Sequence, residues 1–388
     1  MNSRYDNPTA VRVDVTMDCD GGAHRNSLLL NDVELARVVD ALGRYCTRWG
    51  VSEFSGLGSL LPKTETVPRQ VFGEGVRSFA RVLPASGRRY PARVLSDAPQ
   101  DVKSFLVTDV SDDTVEVDYG HPLRGLAVDV SLSEVPAIPA LAHRRELPLD
   151  EKLFRWLDMG PGLQLTHPVP LDELARNPLF PREDESDDAV FYAPPRMVQH
   201  IDSWARETMA DVFSEQLSPR VYVLDLMSSW VTHLPSERDD LTVYGLGMNE
   251  RELAANPRLS QFVVHDLNDE PKIPFEPESL DAVICAVSIE YTNRPVGIFR
   301  AVRDVLKPGG VFINAFSDRC FPTKAIKLWA ELHPFERMAF VASCHEAAGG
   351  YDKASTFALA GAPRPPDDDY AMRMPDADAV YAVWARKR

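Results

Sequence analysis

The chain has 388 residues, of which 44% are hydrophobic and 26% charged, and its formal net charge is −16 at pH 7. This length and composition predict a globular protein of about two or three domains. The acidic balance argues against nucleic acid or an anionic membrane as the main partner, because both require a basic face. No stretch approaches the roughly 18 apolar residues of a membrane span, and the amino terminus lacks the apolar segment of a secretory signal.

The five cysteines are scattered along the chain without a CxxC pair, and the nine histidines show no HExxH or similar spacing. A disulfide framework needs paired cysteines, and a structural zinc site needs clustered ligands. We therefore expect free thiols, no metal site and a location in the reducing cytoplasm.

Short alternating apolar runs dominate the first part of the chain. They include SFLVTDV (104–110) and TVEVDY (114–119) and are separated by turn residues, a pattern typical of antiparallel strands. Ahead of them, Leu30–Trp49 carries apolar residues at helical spacing, with Asn31 as a candidate N-cap. We predict a β-rich α+β domain over residues 1–140.

Residues 141–188 differ from both flanking regions in being rich in proline and poor in periodicity. The segment ends in an acidic run, EDESDD over 183–188. Acidic runs of this kind are usually solvated. We predict a linker here, followed by a second domain over residues 189–388.

In the second domain, apolar runs alternate with helical patterns. Helices are predicted over Met197–Gln216 and Ile298–Leu306. Strands are predicted over Val221–Leu226, Thr242–Leu246, Phe262–His265, Ala282–Val287, Val311–Ala315 and Asp378–Lys387. This alternation predicts an α/β fold with a parallel sheet covered on both faces. The ligand of such a sheet lies at the carboxyl ends of the strands, where the chain order reverses.

Two motifs stand in order around the fourth and fifth of these strands: IPFEPESLDAV (273–283) and VLKPGGVFI (305–313). With them, residues 190–388 resemble the class I S-adenosylmethionine-dependent methyltransferases, and the type 11 branch in particular. The resemblance implies a Rossmann-like seven-strand sheet, S-adenosyl-L-methionine as the cofactor and a small-molecule methyl acceptor as the partner. The same resemblance implies that residues 191–202 form a helix that covers the cofactor.

Two stretches depart from the family pattern. The family has an acid and a glycine-rich loop after the first strand, whereas this chain has DLMSSWV over 225–231, with Met227, Ser229 and Val231 at the glycine positions. The family has an acid after the second strand, whereas this chain has Gly247. Asn249 then becomes a candidate neutral acceptor for the ribose hydroxyls.

The resemblance also implies roles for the remaining positions of the cleft. Asp266 matches the acid that binds the adenine amino group, while Tyr192 and Arg196 would close over the methionine end. The implied cofactor-binding residues are Tyr192, Arg196, Asp225, Met227, Ser228, Ser229, Gly247, Met248, Asn249, Asp266, Leu267, Val287 and Ser288.

The catalytic candidates are His200, His233, Tyr291 and Arg319, whose loops should face the same pocket. Methyl transfer mainly requires alignment in a dry site. A hydroxyl acceptor would need a general base such as His200 or His233, whereas a thiol or amine needs only deprotonation. The identity of the methyl acceptor stays open, and a thiol is among the candidates. A purely structural role for each of these four residues also stays open. A non-catalytic binding or chaperone-like protein on the same scaffold is the alternative.

The amino-terminal segment TVEVDYGHPLRGLAVDVSLSEV (114–135) resembles the closing part of SlyD-like peptidyl-prolyl isomerases of the FKBP type. His121, Pro122, Leu123 and Gly125 match the turn of that family. The resemblance implies an FKBP-like accessory domain that shapes access to the cleft, or a working prolyl isomerase fused to the methyltransferase fold.

Overall fold

A computed structural model of the chain describes residues 10–19, 22–31, 52–53, 64–71, 84–95, 104–119, 127–135, 168–332, 334–374 and 376–388. Most of the helix predicted over Leu30–Trp49 lies outside these residues, as does the turn with His121, Pro122 and Leu123. Leu30 and Asn31 belong to a strand, so the helix prediction is wrong at its first two positions.

The described residues up to 135 are mostly strands. These are β1 (Ala10–Cys19), β2 (Gly22–Asn31), β3 (Ser52–Glu53), β4 (Glu65–Pro68), β5 (Arg89–Pro91), β6 (Ser104–Val110), β7 (Thr114–Asp118) and β8 (Ala127–Val135). Short 3-10 turns follow β4 and β5, over Arg69–Val71 and Ala92–Val94.

From residue 168 onward, strands and helices alternate. The strands are β9 (Tyr222–Leu226), β10 (Thr242–Gly247), β11 (Leu259–Val264), β12 (Leu280–Ala286), β13 (Leu306–Phe316), β14 (Ser355–Leu359) and β15 (Val380–Arg386). The α-helices are α1 (Leu171–Ala175), α2 (Asp188–Tyr192), α3 (Ser203–Gln216), α4 (Glu250–Ala255), α5 (Pro295–Val305), α6 (Lys327–Glu331) and α7 (Pro334–Ala348), and Ile289–Tyr291 forms a 3-10 turn. Every predicted strand of this half overlaps an observed one, and β14 is the strand that the pattern did not indicate.

Strands β9 to β15 lie side by side in the order β11-β10-β9-β12-β13-β15-β14. Neighbours from β11 through β13 are parallel, and β15 is antiparallel to both β13 and β14. The chain order reverses between β9 and β12, and such a reversal opens a crevice at the carboxyl ends of the strands. This is the seven-strand Rossmann-like α/β sheet that the resemblance implies.

The sheet continues into the amino-terminal part of the chain. Strand β2 pairs in parallel with β14, and β1, β8 and β3 follow beyond it to give eleven strands. A separate four-stranded sheet has the order β4-β7-β6-β5. The described amino-terminal residues are thus rich in strands, as predicted, but β7 and β8, on either side of the FKBP-like turn, lie in different sheets.

Apolar side chains on the two faces of the parallel strands build two cores. Val283 and Phe312 point to one face and pack with α5 and α7, whereas Ile284 and Ile313 point to the other and pack with α3. Successive strand residues alternate between faces, so a sheet covered on both sides needs apolar residues throughout. Among the described residues, no helix combines the length and the apolar character needed to cross a membrane.

The described part of the predicted linker, residues 168–188, is not a solvated connection. Leu174 and Phe180 are buried in the core, where the Phe180 ring meets that of Phe340 edge to face at 5.5 Å. Asp188 accepts from the guanidinium of Arg182 at 2.7 Å, and both side chains are buried. The acidic run therefore supplies a buried ion pair as well as exposed charge, and this segment packs into the carboxyl-terminal half.

Helix α3 begins at Ser203 rather than at the predicted Met197. The side chain of Asp202 accepts from the N–H of Ala205 at 2.8 Å and caps the helix, as short acidic side chains do. Pro194 and Pro195 lie upstream and lack the N–H groups that a helix would use. The helix that the resemblance places over 191–202 therefore does not form beyond Tyr192, the last residue of α2, and residues 193–201 follow the wall of a cavity instead.

Candidate active site

A cavity of about 540 Å³ opens at the carboxyl ends of β9, β10, β11 and β12, where the strand order reverses. Volumes of this size are typical of small-molecule sites. Every predicted cofactor-binding and catalytic residue lines this cavity. The structure thus brings all of these residues together, while their individual roles stay predictions.

The loop after β9 forms one wall. Asp225 is buried at the end of the strand and accepts from the hydroxyl of Ser228 at 2.6 Å. Burial raises the pKa of Asp225 to about 7, against the smaller lowering effect of hydrogen bonds from Ser228 and Thr232. Met227 has a φ of 59°, so this loop takes the left-handed conformation at the first family glycine position without a glycine.

The turn after β10 packs directly against that loop. A Cβ atom on Gly247 would stand 2.2 Å from the carbonyl oxygen of Ser228, far inside contact distance. The Ser228 N–H donates to the carbonyl of Leu246 at 2.8 Å, and the His265 N–H donates to that of Gly247 at 2.9 Å. The backbone is held on both sides, and no side chain, acidic or otherwise, fits at position 247.

Asn249 lies at the cavity but uses its amide within the protein. Its Oδ1 accepts from the N–H groups of Arg251 and Glu252, which caps α4. Its Nδ2 donates to the carbonyls of Tyr192 and Ala193 at 2.8 and 3.0 Å. Both amide hydrogens and the oxygen are engaged, so the prediction of a ribose acceptor at Asn249 loses its physical basis.

The loop after β11 carries the acid predicted to face adenine. Asp266 Oδ1 accepts from the N–H of Asn268 at 2.8 Å, which fixes the carboxylate at the cavity wall, and Leu267 is buried beside it. Asn268 in turn donates to Asp188 and to the carbonyl of Tyr291. Burial alone would raise the pKa of Asp188, but hydrogen bonds from Arg182, Asn268 and Lys324 hold it below its usual range.

The residues after β12 form the opposite wall. Val287 has a φ of 47°, which is rare for a β-branched residue, and its N–H donates to the carbonyl of Ala315 at 2.7 Å. The Tyr291 hydroxyl accepts from the Phe321 N–H at 2.9 Å, and burial raises its pKa well above the ordinary value. Tyr291 therefore keeps its proton and positions the loop over 318–322.

Tyr192 and Arg196 lie where the methionine end of the cofactor is expected. The guanidinium of Arg196 stacks over Phe191 at 4.6 Å and Phe321 at 5.5 Å and donates to a backbone carbonyl, that of Phe191, at 2.8 Å. The Tyr192 hydroxyl is buried without a hydrogen-bond partner among the described residues. Burial raises its pKa, so the hydroxyl is a donor to any ligand that reaches it.

The two histidine candidates are both uncharged at neutral pH. Burial, followed by the charges of Arg206 and His200, lowers the pKa of His233 to about 4, although part of the residue faces the cavity. Burial and Arg196 lower the pKa of His200, whose ring meets that of Phe321 at 5.2 Å. A neutral imidazole has one ring nitrogen with a lone pair, which can accept a proton.

The loop over 318–322 closes the site. The Arg319 guanidinium stacks over the ring of Tyr370 at 4.7 Å, and its Nε lies 3.7 Å from a carboxylate oxygen of Asp378. Cys320 lines the cavity, but burial raises the pKa of its thiol to about 11. The thiol therefore stays protonated at neutral pH and is a poor nucleophile.

Sequence reasoning missed several lining residues, among them Glu252, Asn268, Phe321 and Tyr370. Glu252 stands three residues after the N-cap Asn249. An acid at that position is the ordinary signature of a helix start, so the sequence offers a structural explanation that conceals the cavity. Phe321 and Tyr370 carry no local signal, because loops far apart in the chain bring them to the site.

Comparisons with known proteins identify a methyltransferase domain in the carboxyl-terminal half of the chain. Residues 224–314 match the family model of a methyltransferase domain. Among solved structures, the chain is similar to a SAM-dependent methyltransferase from Aquifex aeolicus, with 15% identity, 57% of this chain and 100% of that chain covered, and a TM-score of 0.33. Another, from Mesorhizobium loti, has 17% identity, coverage of 46% and 96%, and a TM-score of 0.28. No curated protein matches the chain.

The parallel sheet, the cavity at its topological switch point and the family match define a Rossmann-like methyltransferase domain. The protein is an S-adenosyl-L-methionine-dependent methyltransferase, and S-adenosyl-L-methionine is its cofactor. The residues present fit this group: Gly247 leaves the cleft open for a nucleoside, Asp266 offers a carboxylate, and the buried Tyr192 hydroxyl offers a donor that has no partner among the described residues.

Proposed function

We propose that the enzyme methylates a small molecule that enters the same cavity beside the cofactor. The observation that carries this proposal is the extent of the cavity, which continues past the predicted cofactor residues to His200, His233 and Arg319. Aromatic side chains, among them Phe321 and Tyr370, enclose that end. An acceptor with an aromatic or apolar body suits such walls.

When bound, S-adenosyl-L-methionine supplies a methyl group that is already activated by its positively charged sulfur. The chain's own residues then have three tasks. Tyr192, Arg196 and Asp266 hold the cofactor, the aromatic walls exclude water, and His233 takes the proton that a hydroxyl or thiol acceptor releases. Arg319 lies at the acceptor end, where its guanidinium suits a negatively charged substituent.

The amino-terminal part is proposed to shape access to this cavity through its contacts with α7. Arg88, next to β5, donates to the carbonyl of Glu331 at 3.4 Å and lies 3.8 Å from the carboxylate of Glu336. Arg337, on the same helix, lies 3.7 Å from Asp318 in the cavity loop. These contacts link the small sheet to the loop that closes the site.

A cytoplasmic location stays part of the proposal and rests on the scattered cysteines.

The test is titration calorimetry of the full chain with S-adenosyl-L-methionine and S-adenosylhomocysteine, followed by transfer of a radiolabelled methyl group to matched hydroxyl, thiol and amine acceptors. His233→Gln should lower kcat for a hydroxyl acceptor by about 10²- to 10⁴-fold. With a thiol acceptor, the kcat of this variant should fall less and should recover near pH 9, because a thiol ionises there without a base. Cofactor binding without transfer to any small acceptor would contradict the small-molecule proposal.

A further inference from the structure

The cofactor carries two ribose hydroxyl groups that need acceptors once they are enclosed. A hydroxyl buried without a partner loses its bond to water and gains nothing, so nucleoside sites place a carboxylate near the end of the second strand. In this chain Gly247 occupies that position, and the carbonyl of Ser228 excludes any side chain there. The amide of Asn249 is also fully engaged. The ribose acceptor must come from elsewhere in the cavity.

Glu252 is a carboxylate of the cavity that follows the same turn closely in the chain. It stands on the first turn of α4, lines the cavity and is half-buried. Its Oε2 accepts from the hydroxyl of Ser229 at 2.5 Å, and its Oε1 accepts from the N–H of Arg196 at 2.7 Å. The carboxylate is thereby fixed between the loop after β9 and the segment before α3.

The carboxylate still has acceptor capacity after these two bonds. A carboxylate has about four lone-pair directions, and each oxygen of Glu252 receives one of the two hydrogen bonds from Ser229 and Arg196. Two more hydroxyl donors therefore find an acceptor on it. We propose that Glu252 takes the ribose hydroxyls of S-adenosyl-L-methionine, in place of the acid that cannot stand at position 247. This inference rests on the cofactor already assigned.

The test measures the affinities of two ligands, S-adenosylhomocysteine and its 2′,3′-dideoxyribose counterpart, by titration calorimetry. Both ligands are titrated into wild type and into two variants. Hydrogen bonds to a charged acceptor favour the natural ligand, so the full-length wild type should bind it about 10- to 100-fold more tightly. In Glu252→Gln the ratio of the two affinities should fall to within about threefold. Glu250→Gln, an exposed acid on the same helix outside the cavity, should keep the wild-type ratio.

The outcomes separate this inference from the cofactor assignment. Equal weakening of both ligands in Glu252→Gln would overturn the inference, because Glu252 would then only hold Ser229 and Arg196 in place. A wild-type ratio near one would overturn it without any variant. Failure of wild type to bind S-adenosylhomocysteine would overturn the cofactor assignment itself and the inference with it. Thermal unfolding of each variant shows that the comparison is between folded proteins.

Discussion

The carbonyl oxygen of Ser228 lies so close to the Cα of Gly247 that a Cβ atom on Gly247 would stand 2.2 Å from that oxygen. The two residues come from different strand ends, β9 and β10, and their contact forms the floor of the cleft. A glycine-rich loop normally provides close backbone approach on the first strand's side. Here the glycine lies on the second strand's side, and the first loop carries methionine and serine instead.

Gly247→Ala should therefore damage both the fold and the site. The methyl group would displace the loop over 227–229, at a cost typical of overpacking, about 1–3 kcal/mol in the free energy of unfolding. S-adenosylhomocysteine affinity should fall at least about tenfold. Gly245→Ala is the matched control, because its Cβ would meet the flexible end of the Leu259 side chain, outside the cavity. Denaturant unfolding and calorimetry measure both effects, and equal results for the two variants would contradict this account.

Glu290 should make the protein less stable as pH rises. Its side chain is fully buried and neither carboxyl oxygen has a hydrogen-bond partner of good geometry among the described residues. Burial raises its pKa to about 7, against smaller lowering effects of its own backbone N–H and of Arg337. The unfolded chain ionises near 4.3, so the stability present below that pH is lost as pH rises towards about 7.

Glu290→Gln removes this titration. Relative to wild type, its free energy of unfolding should increase from pH 4.5 to 7.5 by on the order of 3 kcal/mol. Denaturant unfolding at several pH values gives the difference. Glu276→Gln, which changes an exposed acid, should follow the wild-type curve. A flat difference between Glu290→Gln and wild type would show that the carboxyl is ionised in the folded protein.

His233 should remain uncharged throughout the neutral range. Its pKa of about 4 has burial as its main cause, so the imidazole signals of His233 should not move between pH 8 and pH 5.5 in an NMR titration. Assignment by comparison with His233→Gln identifies the signals. A midpoint at or above the ordinary value of about 6.5 would mean that the ring is solvated, and it would contradict burial as the cause of the lowered pKa.

Much of the sheet and the cavity could be predicted from the sequence because the signals there are local. Apolar runs such as Ala282–Val287 are continuous where a strand is buried on both faces, and the acids Asp225 and Asp266 directly follow such runs. Parallel strands bring their carboxyl ends to one edge, so residues at those ends meet in space. This geometry explains why every predicted site residue lines one cavity.

The remaining features depend on contacts between distant parts of the chain. The pairing of β2 with β14 joins His24 to Thr356 through a 2.9 Å hydrogen bond between side chains, and nothing near either residue indicates the other. The acidic run over 183–188 looks solvated because one of its partners, the buried Lys324, lies far along the chain. The ribose acceptor proposed at Glu252 has the local signature of a helix start, so its chemistry is visible only in three dimensions.

Fragments that begin at 168 and at 189 should differ sharply in stability, although both contain the whole parallel sheet. Lys324 is fully buried, and its Nζ lies 3.0 Å from Asp188 and 3.3 Å from Asp184 and donates to the carbonyl of Ser186 at 2.7 Å. Residues 189–388 keep this lysine but lose all three partners together with the segment that covers it. Loss of Phe180 from the core costs about 3–5 kcal/mol in addition. Residues 168–388 should therefore unfold at higher urea concentration by circular dichroism, whereas residues 189–388 should aggregate or lack a cooperative transition. Equal midpoints for the two fragments would restore the interpretation of residues 168–188 as a linker.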